Sequence, residues 1–257
     1  AHLSKLVQEV SGNEMIANSD LIWMLNDRGN SSEIFGVSQK GVIRKVLSVQ
    51  ARNHDWEDLT SDEEGNLYIG DFGNNQNHRK NLVILKLKNT DVLNSESILP
   101  ERITFEYPLF KKSSKKKKSV YDAESFFYLD GNFYFFTKSR VKKNYGKTLL
   151  FKFPATKGHH VATYVSEFSF CKKQTCRITS AAISPDKKKV VLLNHHSVIV
   201  FSDFQNDSFF KGVMEIVPLG TTTQKEGVCF KNATTLYITD ERSKAKGGNL
   251  YQLILKK

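Results

Sequence analysis

The sequence predicts an all-β chain closed into a five-bladed β-propeller of four-stranded antiparallel blades, and three observations carry that expectation. First, a polar or acidic residue recurs at Asn13, Glu57, Glu124, Ser180 and Glu226, each followed about ten residues later by an aromatic or branched apolar run ending in a polar cluster. Second, these anchors lie 44, 67, 56 and 46 residues apart, and wrapping from Glu226 through Lys257 to Asn13 gives another 44. Third, each repeat holds further alternating runs rich in β-branched and aromatic residues, the pattern of half-buried strands. Self-similarity at roughly 40–50 residues with four short strands per unit marks a propeller, because a single unit cannot bury both sheet faces until its neighbours stack on it.

The strands follow in order within each repeat. Strand A follows the anchor (EMIAN, DLTSD, SFFYLD, AAISPD, GVCFKN), and strand B is the run after it (LIWMLND, NLYIGDFG, NFYFFTKS, KVVLLNHH, TLYITDE). Strand C reads SEIFGVS, NLVILKLKN, KTLLFKFPA, SVIVFSD and NLYQLILKK. Strand D reads GVIRKVLSVQ, RITFEYP, HVATYVSEFSF and KGVMEIVPLG. The last repeat lacks a strand D, and HLSKLVQEV at the chain start has the pattern to supply it, which would cover an open sheet edge. The expected blades are near 13–52, 53–110, 120–172, 176–220 and 222–257 plus 1–10, in one domain over 1–257, with a basic loop at 111–119.

Composition agrees with a globular chain. At 257 residues and 39% hydrophobic, it can bury a substantial core, and no apolar stretch approaches the roughly 18 residues that would span a membrane. The formal charge of +11 favours anionic partners. Part of that excess lies in Lys111, Lys112 and Lys115 to Lys118. A run of this kind is a solvated loop or a contact for nucleic acid, acidic glycan or lipid head groups. Nucleic acid is the least favoured, because no aromatic side chain is interleaved to stack on bases. Cys171 and Cys176 enclose a short loop that a disulfide would close in an exported protein, and Cys229 sits in an apolar strand as a small hydrophobe.

In a propeller, strand A lines the channel and strand B returns antiparallel to it. The start of A and the exit of B therefore share one mouth. This gathers Asn13, Glu57, Glu124, Ser180 and Glu226 around the axis, with Asn26, Asp27, Arg28, Asp71, Asn74, Lys138, Arg140, His195, Asp240 and Arg242 as the rim. Carboxylates about 6 Å apart repel by roughly 3 kcal/mol per pair at an effective dielectric of 20. Either their pKa values rise or a cation sits among them. Oxygen donors without thiolate or imidazole suit Ca²⁺, the expected cofactor. The alternative is that the anchors only hydrogen-bond neighbouring blades, and the rim Asn and Asp residues are also what turns require. Asp55 and His54, within NHDWED, are the candidate general bases.

The runs NHDWEDLTSDEEGNLYIGDFGNNQNHR, YDAESFFYLDGNFYFFTKS, ITSAAISPDKKKVVLL and QKEGVCFKNATTLYITDE resemble a family of exported bacterial propellers common in Bacteroidetes-type genomes. That resemblance implies the fold and a periplasmic or extracellular location, and no reaction. More distantly, the anchor order is similar to the soluble calcium-activated nucleotidases (apyrases), five-bladed propellers with one axial Ca²⁺ held by Ser and Glu oxygens. Asn13 departs from that pattern. The expected function is a calcium-holding binding module for a ligand or protein. The alternative is a calcium-dependent hydrolase of an anionic phosphate, ester or lactone, with Arg28, Lys138, Arg140, Lys225 and Arg242 offsetting substrate charge.

Overall fold

The computed structural model describes residues 1–76, 78–108, 121–243 and 246–256. The lysine run from Lys111 to Lys118 lies outside the described residues. Blade 1 comprises β1 (Val10–Met15), β2 (Ile22–Asn26), β3 (Glu33–Val37) and β4 (Ile43–Val49). Blade 2 comprises β5 (Trp56–Ser61), β6 (Leu67–Asp71) and β7 (Leu82–Leu87), then, past helix α1 (Asn89–Asn94) and β8 (Ser97–Ile98), β9 (Glu101–Glu106). In blade 3, β10 (Asp122–Leu129), β11 (Asn132–Lys138) and β12 (Lys147–Pro154) are followed by β13 (Gly158–Val161) and β14 (Thr163–Ser169). Blade 4 holds β15 (Ser180–Ile183), β16 (Lys189–Leu193), β17 (Ser197–Ser202) and β18 (Val213–Pro218). Blade 5 holds β19 (Lys225–Asn232), β20 (Thr235–Asp240) and β21 (Asn249–Ile254).

The predicted five-bladed, all-β architecture is therefore the observed one. The B and C runs fall on observed strands in every blade, and the A runs overlap theirs, although β1 begins at Val10 so that only Glu14 and Met15 of EMIAN lie on it. Local chemistry explains the hairpins. Asp130 (φ 47°) and Gly131 (φ 76°) form the two-residue loop between β10 and β11, where both positions need positive φ and the Asp-Gly pair supplies it.

Two expectations need correction. The run HVATYVSEFSF is not one outer strand. Its first two residues, His160 and Val161, belong to β13, which pairs parallel with β9 of blade 2, and only Thr163–Ser169, β14, pairs with β12 of its own blade. One chain segment thus covers two sheet edges, and β8 does the same for blade 1 by pairing parallel with β4. Nor does the chain start form a full strand D for blade 5. Ala1 and Leu250 exchange backbone hydrogen bonds, Leu3 N–H donates to Gly248, and His2 forms a single bridge with Asn249. Lys5–Val7 then turns into a 3₁₀ helix capped by the Ser4 hydroxyl, so the closing seam is short.

The core is divided among the five interfaces between blades. Trp23, Trp56 and Leu59 pack between blades 1 and 2, and Phe72, Phe105, Phe126 and Phe135 between blades 2 and 3. Phe127, Leu192 and Phe209 fill the next interface, and Val191, Val228 and Ile238 the one after it. Val10, Met24, Cys229 and Tyr237 join blade 5 to blade 1, which closes the ring through side chains even where backbone pairing is brief.

At the centre, Asp58 is fully buried. Its Oδ2 accepts from Phe126 N–H of blade 3 at 3.4 Å and from the Ser180 hydroxyl of blade 4 at 3.2 Å, and its Oδ1 accepts from Leu59 N–H at 2.9 Å. Gly12 of blade 1 lies so close that a Cβ there would stand 2.6 Å from the Asp58 Cα. Any side chain at that position must push two blades apart. Gly12→Ala is expected to destabilise the fold by about 1–3 kcal/mol, read as a lower urea midpoint at unchanged m-value.

Candidate functional site

The first strands are irregular at equivalent points. In β5, β10 and β19, pairing with strand B skips one residue, and the bulged residues are Glu57, Glu124 and Glu226. The extra residue of a bulge is released from the ladder and can be re-aimed. Here the three carboxylates turn to one end of the channel.

The corresponding bulge in β1 falls at Ser11, two residues before Asn13. In blade 4 the matching position is Thr179, one residue before Ser180. Their hydrogen bonds confirm the equivalence. Ser11 Oγ donates to the carbonyl of Trp56, and Thr179 Oγ1 to the carbonyl of Lys225, each the residue just before a bulged glutamate of the next blade. Two blades thus use the position as a staple to their neighbour. Asn13 and Ser180 sit deeper: Asn13 donates to Thr239 Oγ1 at 3.2 Å, and Ser180 reaches Asp58.

The crowding of carboxylates is relieved by protein cations. Lys138 Nζ is 2.8 Å from Glu124 Oε2 and 3.8 Å from Glu226 Oε2. Arg140 contacts Glu124 Oε1 at 2.8 Å and Asp122 Oδ2 at 2.5 Å, and also donates to Asn75. Burial alone would raise the Glu124 pKa, but Lys138 and Arg140 hold it below the ordinary value. Burial would lower that of Lys138, and Glu124, Glu226 and Glu57 outweigh it, so the ammonium stays charged. His195 Nε2 lies 3.3 Å from Glu226 Oε1.

Among the described residues, the third glutamate has no such ion pair. Burial, then the neighbouring Glu124, Asp27, Asp122 and Asp55, push the Glu57 carboxyl well above its usual pKa. Ligand oxygens of Asp27, Asp55 and Glu57 lie within 4.8 Å of one another. Burial also raises Asp27 to about 6, Asp122 to about 7 and Glu241 to about 8, and it raises Asp55. Among the described residues, Asp55 Oδ1 is buried and without a hydrogen-bond partner, and Arg28 Nε lies 3.7 Å from it. Gly73 backs the pair, because a Cβ there would meet Glu57 Oε1 at 2.0 Å and Asp55 Oδ2 at 2.5 Å.

Several rim residues serve the scaffold. Asn26 bonds to Leu6 and Glu9, and Asn74 clamps the backbone of Arg79. Asp240 accepts from Thr223, Asn249 and Tyr251, while Arg242 donates to the carbonyl of Leu3 at the chain start. Lys225 is buried among Thr221 and Thr223. His54 Nδ1 is 3.0 Å from Asp71 Oδ2, and Asp71 also accepts from Arg79 and from Asp55 N–H. Asp71 therefore orients His54, and Asp55 faces Glu57 rather than standing alone as a base.

Sequence reasoning missed Ser11, Thr179, Asp122, Gly73 and Arg79. One signal was available for the first two. Counting back 14 or 15 residues from the polar residue that ends strand B (Asn26, Asp71, Asn194, Asp240) reaches Ser11, Glu57, Thr179 and Glu226.

No protein-family model matches the sequence, and no curated protein matches it. Solved structures do share the fold. A gluconolactonase from Xanthomonas campestris superposes with a TM-score of 0.50 at 12% identity, over 96% of this chain and 72% of that one. A nidogen/laminin complex gives 0.50 at 12% identity, over 90% and 72%. Virginiamycin B lyase from Staphylococcus aureus gives 0.44 at 12% identity, over 91% of this chain, which spans 63% of the lyase's length. The two at 0.50 agree with the β-propeller fold described above and show the fold alone. They do not extend to the motif resemblances drawn from the sequence.

Lys138→Met would leave Glu124 and Glu226 without their shared counter-charge. A loss on the order of 3 kcal/mol is expected at pH 8. The gap to the parent protein should close only as pH falls below about 4.5, the ordinary glutamate value, because Glu124 is held below that value and keeps its charge until then. Thermal melting across pH checks both statements.

Proposed function

We propose that the protein is a calcium-holding β-propeller that presents the ion at its channel mouth as a binding module for an anionic ligand or a protein partner. The carrying observation is the Asp27, Asp55 and Glu57 cluster with its unpartnered Asp55 oxygen. Carboxylate oxygens alone, with no thiolate or imidazole among them, fit a hard cation. Of the three anchor glutamates, Glu57 is the one left to a metal, while Asn13, whose Oδ1 also has no hydrogen-bond partner among the described residues, donates its amide to Thr239. Lys138 and Arg140 already neutralise Glu124, and Lys138 and His195 stand beside Glu226. Because those cations are committed to carboxylates, an anionic ligand would meet the exposed Arg28 and the bound ion, rather than a basic rim.

A second reading is a calcium-dependent hydrolase of a phosphate, ester or lactone, and the His54–Asp71 pair favours it. Asp71 on Nδ1 fixes the ring and leaves Nε2 to take a proton from water. A bound Ca²⁺ would supply polarisation of the carbonyl or phosphoryl oxygen. The gluconolactonase name belongs to the Xanthomonas protein and enters here only as a reason to include lactones in the test. Export to the periplasm or beyond is part of the proposal, supported by the Cys171–Cys176 disulfide, a bond that persists in oxidising compartments.

Thermal melting of EDTA-stripped protein should rise with Ca²⁺ more than with Mg²⁺, and Asp27→Asn with Glu57→Gln should abolish the response. Affinity should increase as pH rises from 6 to 8, since the raised carboxyls must lose protons to bind the ion. Lactone, phosphomonoester and nucleotide panels at saturating Ca²⁺ separate the readings: turnover lost in His54→Gln with calcium binding intact supports the hydrolase, and its absence supports the module. A melting temperature indifferent to Ca²⁺ would overturn both.

A further inference from the structure

The channel has a second mouth, where the first strands end and turn into strand B. Asp58, fully buried, and the residues it bonds separate this mouth from the carboxylate cluster. A cavity of about 410 Å³ opens here. That is within the roughly 300–1,000 Å³ of small-molecule sites. Every blade contributes to its wall. Met15, Ile16, Phe127, Leu129, Ile183 and Phe230 supply an apolar lining, and Glu14 lies at its inner side.

The polar groups of the cavity differ in how fully they are used. Asp62 accepts from Asn66 and from the Tyr68 hydroxyl. Lys187 pairs with Glu63 at 3.0 Å and Asp130 at 2.6 Å. Lys231 reaches Gln39 and lies over the Tyr237 ring. Ser184 donates to Asp186. Among the described residues Glu14 has no cation paired with it; it accepts from the Ser61 hydroxyl at 2.9 Å on Oε1 and from the backbone N–H of Met15. We infer that this second mouth is a binding site for a small organic cation, an amine on a compact apolar body, with Glu14 as its counter-charge.

The chemistry is one of exchange. Without a ligand, burial holds the Glu14 carboxyl near a pKa of about 8, so at neutral pH it carries a proton. An ammonium group entering the cavity replaces that proton, and the apolar lining takes up its hydrocarbon part. Among the described residues, the other charged or titratable groups around Glu14 are Asp62 and Glu63 on the turn after β5, Tyr128 of blade 3, Lys187 of blade 4, Lys231 and Cys229 of blade 5, and Asp58 below. The two lysines are occupied, Asp58 is held far above the ordinary carboxylate range by burial, and the Cys229 thiol is likewise raised, so none supplies the missing positive charge.

Cyclohexylamine and cyclohexanol, matched in shape and different in charge, are the probes, with calorimetry on the whole protein at pH 7. The amine should bind at least about tenfold tighter than the alcohol, the scale of a charge-assisted contact. Its binding should release close to one proton, counted by repeating the titration in buffers of different ionisation enthalpy. Glu14→Gln should erase the preference and the proton release. Ala17→Phe, at an exposed rim position of the same cavity, should weaken both probes without touching the carboxyl. Equal affinity for the two probes, no binding of either, or an amine preference that survives Glu14→Gln would overturn the inference. Amine held among the carboxylates of the other mouth would give that last result, together with indifference to Ala17→Phe.

Discussion

The whole ring closes on one buried carboxyl. Asp58 belongs to blade 2, bonds to blades 3 and 4, and is packed so tightly against Gly12 of blade 1 that no side chain fits there. Burial keeps its pKa far above the ordinary range, with the Leu59 and Phe126 N–H groups opposing. The linkage follows from that direction. A carboxyl whose folded pKa is raised contributes its full stability at low pH and loses it as pH climbs toward the folded value. The centre of this propeller is thus better suited to a protonated Asp58.

The upper mouth shows how a fold resolves a charge problem of its own making. Equivalent bulges in three blades bring Glu57, Glu124 and Glu226 to the same end of a narrow channel. A buried charge is tolerated only when paired. Lys138 and Arg140 come from the end of β11 and from just beyond it, and both reach Glu124, so blade 3 supplies a carboxylate together with the cations that offset it. Glu57 is left with other carboxyls. That imbalance, rather than the ring as a whole, is what makes the Asp27, Asp55 and Glu57 corner receptive to a cation.

Much of this was legible in the sequence because period-2 alternation and a 40-to-70-residue repeat depend only on the order of residue types. The five blades, the A, B and C strands, and the convergence of Glu57, Glu124 and Glu226 follow from it. Register does not. A bulge inserts one residue without changing the composition of the strand, so Asn13 and Ser180 looked equivalent to the glutamates while Ser11 and Thr179 occupy their position. The direction of a long side chain is equally hidden. Lys138 reads as a rim charge for a ligand, yet its ammonium folds back to Glu124 and Glu226. The division of HVATYVSEFSF between two blades escaped notice because parallel and antiparallel edge strands carry the same alternation. The second mouth left no mark, since Asp62, Glu63 and Lys187 belong to turns that would be polar in any case, and Glu14 is a single polar residue near the end of β1.

The two hydroxyl blades explain why the carboxylates stop at three. Ser11 and Thr179 are too short to reach the axis from their bulges and instead donate to the carbonyls of Trp56 and Lys225, each adjoining a glutamate of the next blade. A carboxylate cannot donate that bond. With glutamate at all five positions, two inter-blade staples would be lost and two more buried charges added, and the nearby Lys138 and Arg140 are already committed. Blades 2 and 5 can carry a carboxylate because the residue before it is held by the staple of the preceding blade. The same position therefore alternates between joining blades and charging the mouth, and the site's acidity is limited by what the joints require.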